Sequence, residues 1–233
     1  MTLKFVEEFG MALEEVERDE EVRVVVLTGA GRAFSSGADP SLIRASDNPL
    51  EIRKILQEQD KNALRIFNMK KPVIAAVNGI AAGCGMNVAL AADIIIASEE
   101  ARFSEIFARI GLLPDMGGLY TLPRLVGLSK AKELAFTADI IDAKEAERIG
   151  MVSKVVPADQ LESTVRQLAG RLAKGAAESL EFIKAVLNKG LNTDIAGVCE
   201  YEIYALPLLI QSEDAKEGLQ AFLEKREPKF KGR

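Results

Sequence analysis

The sequence predicts an α/β fold. Three runs of branched aliphatic residues, 22–27, 72–77 and 94–97, alternate with segments of helical periodicity. The last third of the chain then carries helical patterns and no strand pattern. Strands that alternate with helices build a sheet joined by helical crossovers.

The elements follow in order. Apolar residues recur at Leu3, Val6, Phe9, Leu13 and Val16, so 3–16 is predicted helical. The run VRVVVL at 22–27 is a buried strand closed by the turn residues of 28–31. Residues 36–49 are expected to be a loop and 50–69 an amphipathic helix. A second buried strand is predicted at 72–77, a short buried helix at 85–92 and a third strand at 94–97. Helices are predicted at 117–125 and 129–137. Asp142 followed by Glu145 forms a capping-box pattern that opens a helix over 142–149. A strand at 152–156 closes the alternating part, and helices are expected at 158–174, 179–189, 194–211 and 212–227. The chain divides on this reading into a core, 1–170, and a helical region, 171–233.

Composition narrows the chemistry. The 233 residues carry 30 Lys+Arg and 35 Asp+Glu, a net charge of −5 that disfavours nucleic acid as a partner. There is no histidine, which removes Ser-His-Asp and Cys-His catalysis and histidine metal sites. Acid–base work falls to Asp, Glu, Lys, Tyr or Cys. Cys84 and Cys199 have neither metal nor disulfide spacing, and a reducing, cytoplasmic compartment is the expectation. No signal peptide is read at the start. The longest apolar run, 86–97, is interrupted by Asn87 and Asp93 and is too short to span a bilayer.

Asp115 is the residue most suggestive of function. It follows Pro114 and precedes Gly117 and Gly118, where a helix is expected to begin. Two glycine-rich turns, SSGAD at 35–39 and NGIAAGCGMN at 78–87, could present backbone N–H groups. One acid with two anion-stabilising turns suits proton transfer beside a carbonyl. The competing reading is that Asp115 caps the helix at Gly117. Burial near Phe107 and Met116 should raise its pKa and the helix start should lower it, which leaves the sign open.

These motifs, with KPVIAAVNGIAAGCG, AADIIIASEEARF, IGLLPDMGG, LPRLVG and FLEKREPKF in the same order, resemble the crotonase or enoyl-CoA hydratase/isomerase superfamily over essentially the whole chain. The resemblance implies a spiral of ββα turns with C-terminal helices that build trimers or dimers of trimers. Family members carry about two strands before their first helix. This chain opens at that helix, so those strands are expected to be absent from it, with a cost to stability and CoA affinity.

The resemblance also implies roles. An acyl-CoA thioester is the substrate, and its enolate is held by the backbone N–H groups of Ala38 and Cys84. Ser36 and Asp39 are expected near the adenine and pantetheine, and Phe222 and Lys225 near CoA from the last helix. The two glutamates of family hydratases fall at Asn87 and Phe107, which are then expected to line the substrate pocket rather than move protons. Asp115 matches the acid of enoyl-CoA isomerases, including the phenylacetyl-CoA-pathway type. One carboxylate that removes a proton and returns it two carbons away suffices for a 1,3-shift. The implied activity is therefore double-bond isomerisation, without metal or redox cofactor. The alternatives are a hydratase, which would need Glu105 in the site, and a non-catalytic acyl-CoA-binding relative.

Overall fold

The computed structural model describes residues 1–43 and 46–232. The chain opens with helix α1 (Leu3–Arg18), capped by the Thr2 hydroxyl, which accepts from the Phe5 N–H. Strands β1 (Val25–Thr28) and β2 (Ala33–Ser35) follow, then the short helix α2 (Pro40–Ile43) and the long α3 (Pro49–Asn68). The expected loop at 36–49 thus contains a turn of helix, and residues 44 and 45 of that stretch lie outside the described residues. Helix α3 starts where Pro49 sits in the first turn and the Asn48 side chain accepts from Leu50 N–H.

Two repeats of the same strand–strand–helix plan and a closing segment come next. Strands β3 (Val73–Val77) and β4 (Ile80–Ala82) lead into α4 (Cys84–Leu90). Strands β5 (Ile94–Ser98) and β6 (Arg102–Ser104) lead into a 3-10 turn, Ile106–Ile110, and then α5 (Gly118–Val126) and α6 (Leu128–Thr137). The bridge β7 (Ile141–Asp142), α7 (Ala143–Arg148) and β8 (Lys154–Val156) complete the core. The Asp142 carboxylate caps α7 by accepting from Glu145 N–H at 2.8 Å, as the sequence pattern predicts.

From β1 to β6, successive strands go to alternate sheets. One sheet has the order β1-β3-β5-β8 and is parallel throughout. The other has the order β2-β4-β6-β7, with β7 antiparallel. Each strand pair therefore advances one step along both sheets before a helix returns the chain. This is the expected α/β spiral. The central strand β3 is buried at every position, which explains its continuous run of apolar residues.

Helix α8 (Leu161–Ala173) covers the first sheet through Leu161 and Val165, which pack with Ile74, Ile96 and Val156. Helices α9 (Ala177–Gly190), α10 (Ile195–Gln211) and α11 (Glu213–Glu224) form the helical end of the chain. Helix α9 is tied to the core by Lys184, whose Nζ lies 2.8 Å from Asp93 Oδ2 and also donates to the Ile66 carbonyl. The buried Asp214 at the start of α11 accepts from Lys231 N–H and Gly232 N–H, which folds the tail back on the helix. Among the described residues no helix is long and apolar enough to cross a membrane.

Candidate active site

The site forms where the two sheets hand the chain to α4. Gly83 has φ +53° and lets the backbone turn sharply from β4 into the helix. A Cβ there would sit 3.5 Å from the Phe107 ring, so the ring lies over the turn. Gly85 has no room for a side chain, because a Cβ would fall 2.5 Å from that of Ser35 on β2. This close approach sets the SSGAD turn against the first turn of α4.

The backbone segments of Ala38 and Cys84, expected to supply two donors, lie next to each other. The N–H of Cys84 belongs to the first helical residue, which has no partner within its own helix. The N–H groups of Cys84 and Ala38 both favour negative charge at the Cys84 sulfur, so they are aimed at one region. Gly37, with φ +97°, allows the neighbouring backbone to approach. The thiol itself is pushed up to about 12, first by burial and then by the charge of Asp115. At neutral pH it is a protonated, inert and small apolar group.

Asp115 lies in the loop between the 3-10 turn and α5. It does not cap that helix: the N-cap is Gly117, and no side chain accepts there. Asp115 contributes its backbone carbonyl instead, to Gly118 N–H at 2.9 Å. Its Oδ1 is buried and has no hydrogen-bond partner among the described residues. Burial, followed by the charge of Asp60, raises its pKa to about 6. The sign left open by the sequence is thus upward.

Two side chains hold the loop. Asn87, fully buried one turn into α4, donates from Nδ2 to the Asp115 carbonyl at 3.0 Å. Asp60 on α3 accepts from the Met116 N–H at 3.1 Å. Met116 has φ +47°, a left-handed conformation that disfavours a side chain, so these bonds stabilise a strained turn. Phe107 and Met116 pack with Cys84 and Val88 in one apolar cluster, which Ala38 borders. A cavity of about 450 Å³ adjoins the loop, lined by Asp60, Ala63, Phe67, Met116 and Tyr120 among others.

Sequence reasoning missed Asp60 and named Glu105 only for the hydratase alternative. Asp60 is an unremarkable polar residue of an amphipathic helix. Glu105 was placed two residues outside the hydratase position, yet the structure buries it beside Asn87 and within the field of Asp115. Of the expected CoA contacts, Ser36 is exposed and Asp39 half-buried in the turn next to Ala38. Phe222 is on α11 and Lys225 is its left-handed C-cap, and both are exposed.

A two-sheet spiral that gathers the backbone amides of two facing turns and a carboxylate with one buried, unpartnered oxygen defines a class of site suited to acid–base chemistry beside a carbonyl. The sequence pattern of the enoyl-CoA hydratase/isomerase family matches residues 1–233, and the chain belongs to that family. It is 40% identical to the short-chain-enoyl-CoA hydratase of Clostridium acetobutylicum, over 94% of this chain and 84% of that one. It is 38% identical to the 1,2-epoxyphenylacetyl-CoA isomerase of Escherichia coli, over 95% of this chain and 86% of that one. The crystal structure of an enoyl-CoA hydratase from Bacillus anthracis superposes with a TM-score of 0.94 at 36% identity, covering 100% of this chain and 90% of that one.

Proposed function

We propose that the protein is an enoyl-CoA isomerase in which Asp115 shuttles the proton. The observation that carries this reading is the half-buried Asp115 carboxyl, whose Oδ1 is buried and has no hydrogen-bond partner among the described residues, beside the amides of Ala38 and Cys84. With a pKa near 6 it is ionised at pH 7 and a stronger base than an ordinary carboxylate. In a 3-enoyl-CoA it would take a proton from C2. The negative charge would pass to the thioester oxygen, held by the two amides. The same carboxyl, now protonated, would return the proton to C4 and yield the 2-enoyl thioester. The amides supply most of the barrier lowering, roughly 3 kcal/mol for each donor. Asn87 and Phe107 line the pocket, one fixing the base and the other excluding water. Ser36, Asp39, Phe222 and Lys225 would hold the CoA portion. The shift is redox neutral and requires neither metal nor redox cofactor. Cytoplasmic residence and self-association through the helical end belong to the same proposal.

The test is isotopic. The protein is incubated with a 3-enoyl-CoA in heavy water, and deuterium at C2 and C4 is followed by mass spectrometry and NMR, beside Asp115→Asn. Conversion should fall at least about 10³-fold in the variant, while acyl-CoA binding persists. Turnover undiminished in the variant would sink the assignment.

A second reading, hydration, is favoured by one observation: Glu105 is buried within the field of Asp115, so the site holds two carboxyls. Crotonyl-CoA distinguishes the two. Formation of 3-hydroxyacyl-CoA from it would replace the isomerase reading.

A further inference from the structure

Glu105 is a buried ionisable group beside the site that the proton shift leaves unused. It joins β6 to the 3-10 turn and is 1% exposed. Neither of its carboxyl oxygens has a hydrogen-bond partner among the described residues. The same holds for Asn87 Oδ1 and Asp115 Oδ1. Three elements thus bring together four side-chain oxygens that accept and do not donate. The Asn87 amide already donates to the Asp115 carbonyl. A cluster of acceptors without a donor is unfavourable in an apolar setting, and a carboxyl that keeps its proton supplies one.

The surroundings decide which carboxyl keeps it. Burial, then the charge of Asp115, raises Glu105 to about 8, against about 6 for Asp115. The charged groups acting on the pair are carboxylates, Asp115 on Glu105 and Asp60 on Asp115. Asn87 lowers both, and no lysine or arginine contributes to either shift among the described residues. Two carboxyls driven apart in this way divide into an acid and a base.

We propose that Glu105 is a positioning residue that retains its proton at neutral pH, so that Asp115 faces the substrate as the single negative charge of the site. This rests on the isomerase reading of Asp115. When Glu105 ionises, the enolate must form next to an additional carboxylate, and turnover falls.

The pH profile tests it. Wild-type kcat/KM for the 3-enoyl-CoA should rise as Asp115 ionises and decline again above about pH 8. Glu105→Gln keeps the shape and a donor but cannot ionise. Its alkaline decline should vanish, and its ratio of rate at pH 9 to rate at pH 7 should exceed the wild-type ratio about tenfold. An alkaline limb unchanged in Glu105→Gln overturns the proposal. A second measurement needs no substitution and no turnover. ¹³C NMR of the wild-type chain labelled at the glutamate carboxyls should show one glutamate still protonated at pH 7, and spectra with every glutamate ionised there would also overturn it. Failure of the Asp115 assignment is separate, because it shows as turnover retained by Asp115→Asn.

Discussion

Helices α4 and α10 put similar apolar sequence to opposite use. All seven residues of α4 are buried, including the polar Asn87. None of the seventeen residues of α10 is, although it is rich in leucine, isoleucine and tyrosine. The difference lies in position. Helix α4 is inserted between the two sheets and α5, so every direction around it is filled. Helix α10 packs mainly against α9 and α11 and leaves Ile203, Leu206 and Ile210 facing outward. Hydrophobicity alone does not decide burial within a chain. The site takes its precision from the helix that is packed on all sides, because the Cys84 amide and the Asn87 side chain move only if α4 moves.

The comparison breaks most sharply at Gly85. An alanine there would bring a Cβ within 2.5 Å of the Ser35 side chain and 2.6 Å of its carbonyl, and β2 would have to retreat. Overpacking of this kind costs about 3 kcal/mol. For a chain of this size Gly85→Ala should lower Tm by roughly 6–12 °C, and it should weaken turnover by displacing the Ala38 turn. Gly170 on α8 is the control, since a Cβ there meets nothing within 4 Å. Gly170→Ala should be neutral or stabilising by up to about 1 kcal/mol. Equal shifts in the two melts would show that α4 is not held as tightly as its contacts indicate.

How far the sequence revealed this arrangement depends on element length. Strands β1, β3 and β5 declare themselves through runs such as VIAAV and IIIAS. The second sheet was invisible: AFS, IAA and RFS are three residues each, too short to display a period of two. The site followed the same rule. Ala38, Cys84, Asn87, Phe107 and Asp115 stand in motifs with fixed spacing. Glu105 lies between a three-residue strand and a 3-10 turn, where no periodicity indicates which way a side chain points. Asp60 reaches the site only because α3 crosses the loop before α5, and that crossing is a tertiary fact.

A smaller effect is expected where the helical end meets the core. The Lys184 side chain is 10% exposed and pairs with Asp93 of the turn before β5. Burial raises Asp93 and lowers Lys184, each opposed by the partner's charge. Lys184→Met would leave the partly exposed Asp93 carboxylate without its cation, at a cost of about 1 kcal/mol near pH 7. The sign with pH follows from the proton balance. Without the lysine, Asp93 in the folded chain has a still higher pKa and binds a proton that the unfolded chain has released. Variant stability therefore rises toward wild type as pH falls through the carboxylate range. Urea denaturation at pH 7 and pH 4.5 checks it. A deficit that stays constant across the two would mean that packing, not charge, ties α9 to the core.

The smallest change in stability, with the clearest change in assembly, is expected at α10. Ile203, Leu206 and Ile210 are spaced to share one helix face and are 69%, 56% and 57% exposed. Because Leu206 is unburied within the chain, Leu206→Glu should alter its folding free energy by no more than about 0.5 kcal/mol at low protein concentration. If a second copy of the chain covers this face, the same substitution buries a charge at an interface and should abolish association. Sedimentation velocity of the two proteins separates these cases. Wild type that sediments as an oligomer and a variant that sediments as a folded monomer would make α10 the complement of α4: one helix satisfied by its own chain, the other by its neighbour. Wild type that remains monomeric would remove self-association from the proposal, and the apolar face of α10 would then call for a different partner.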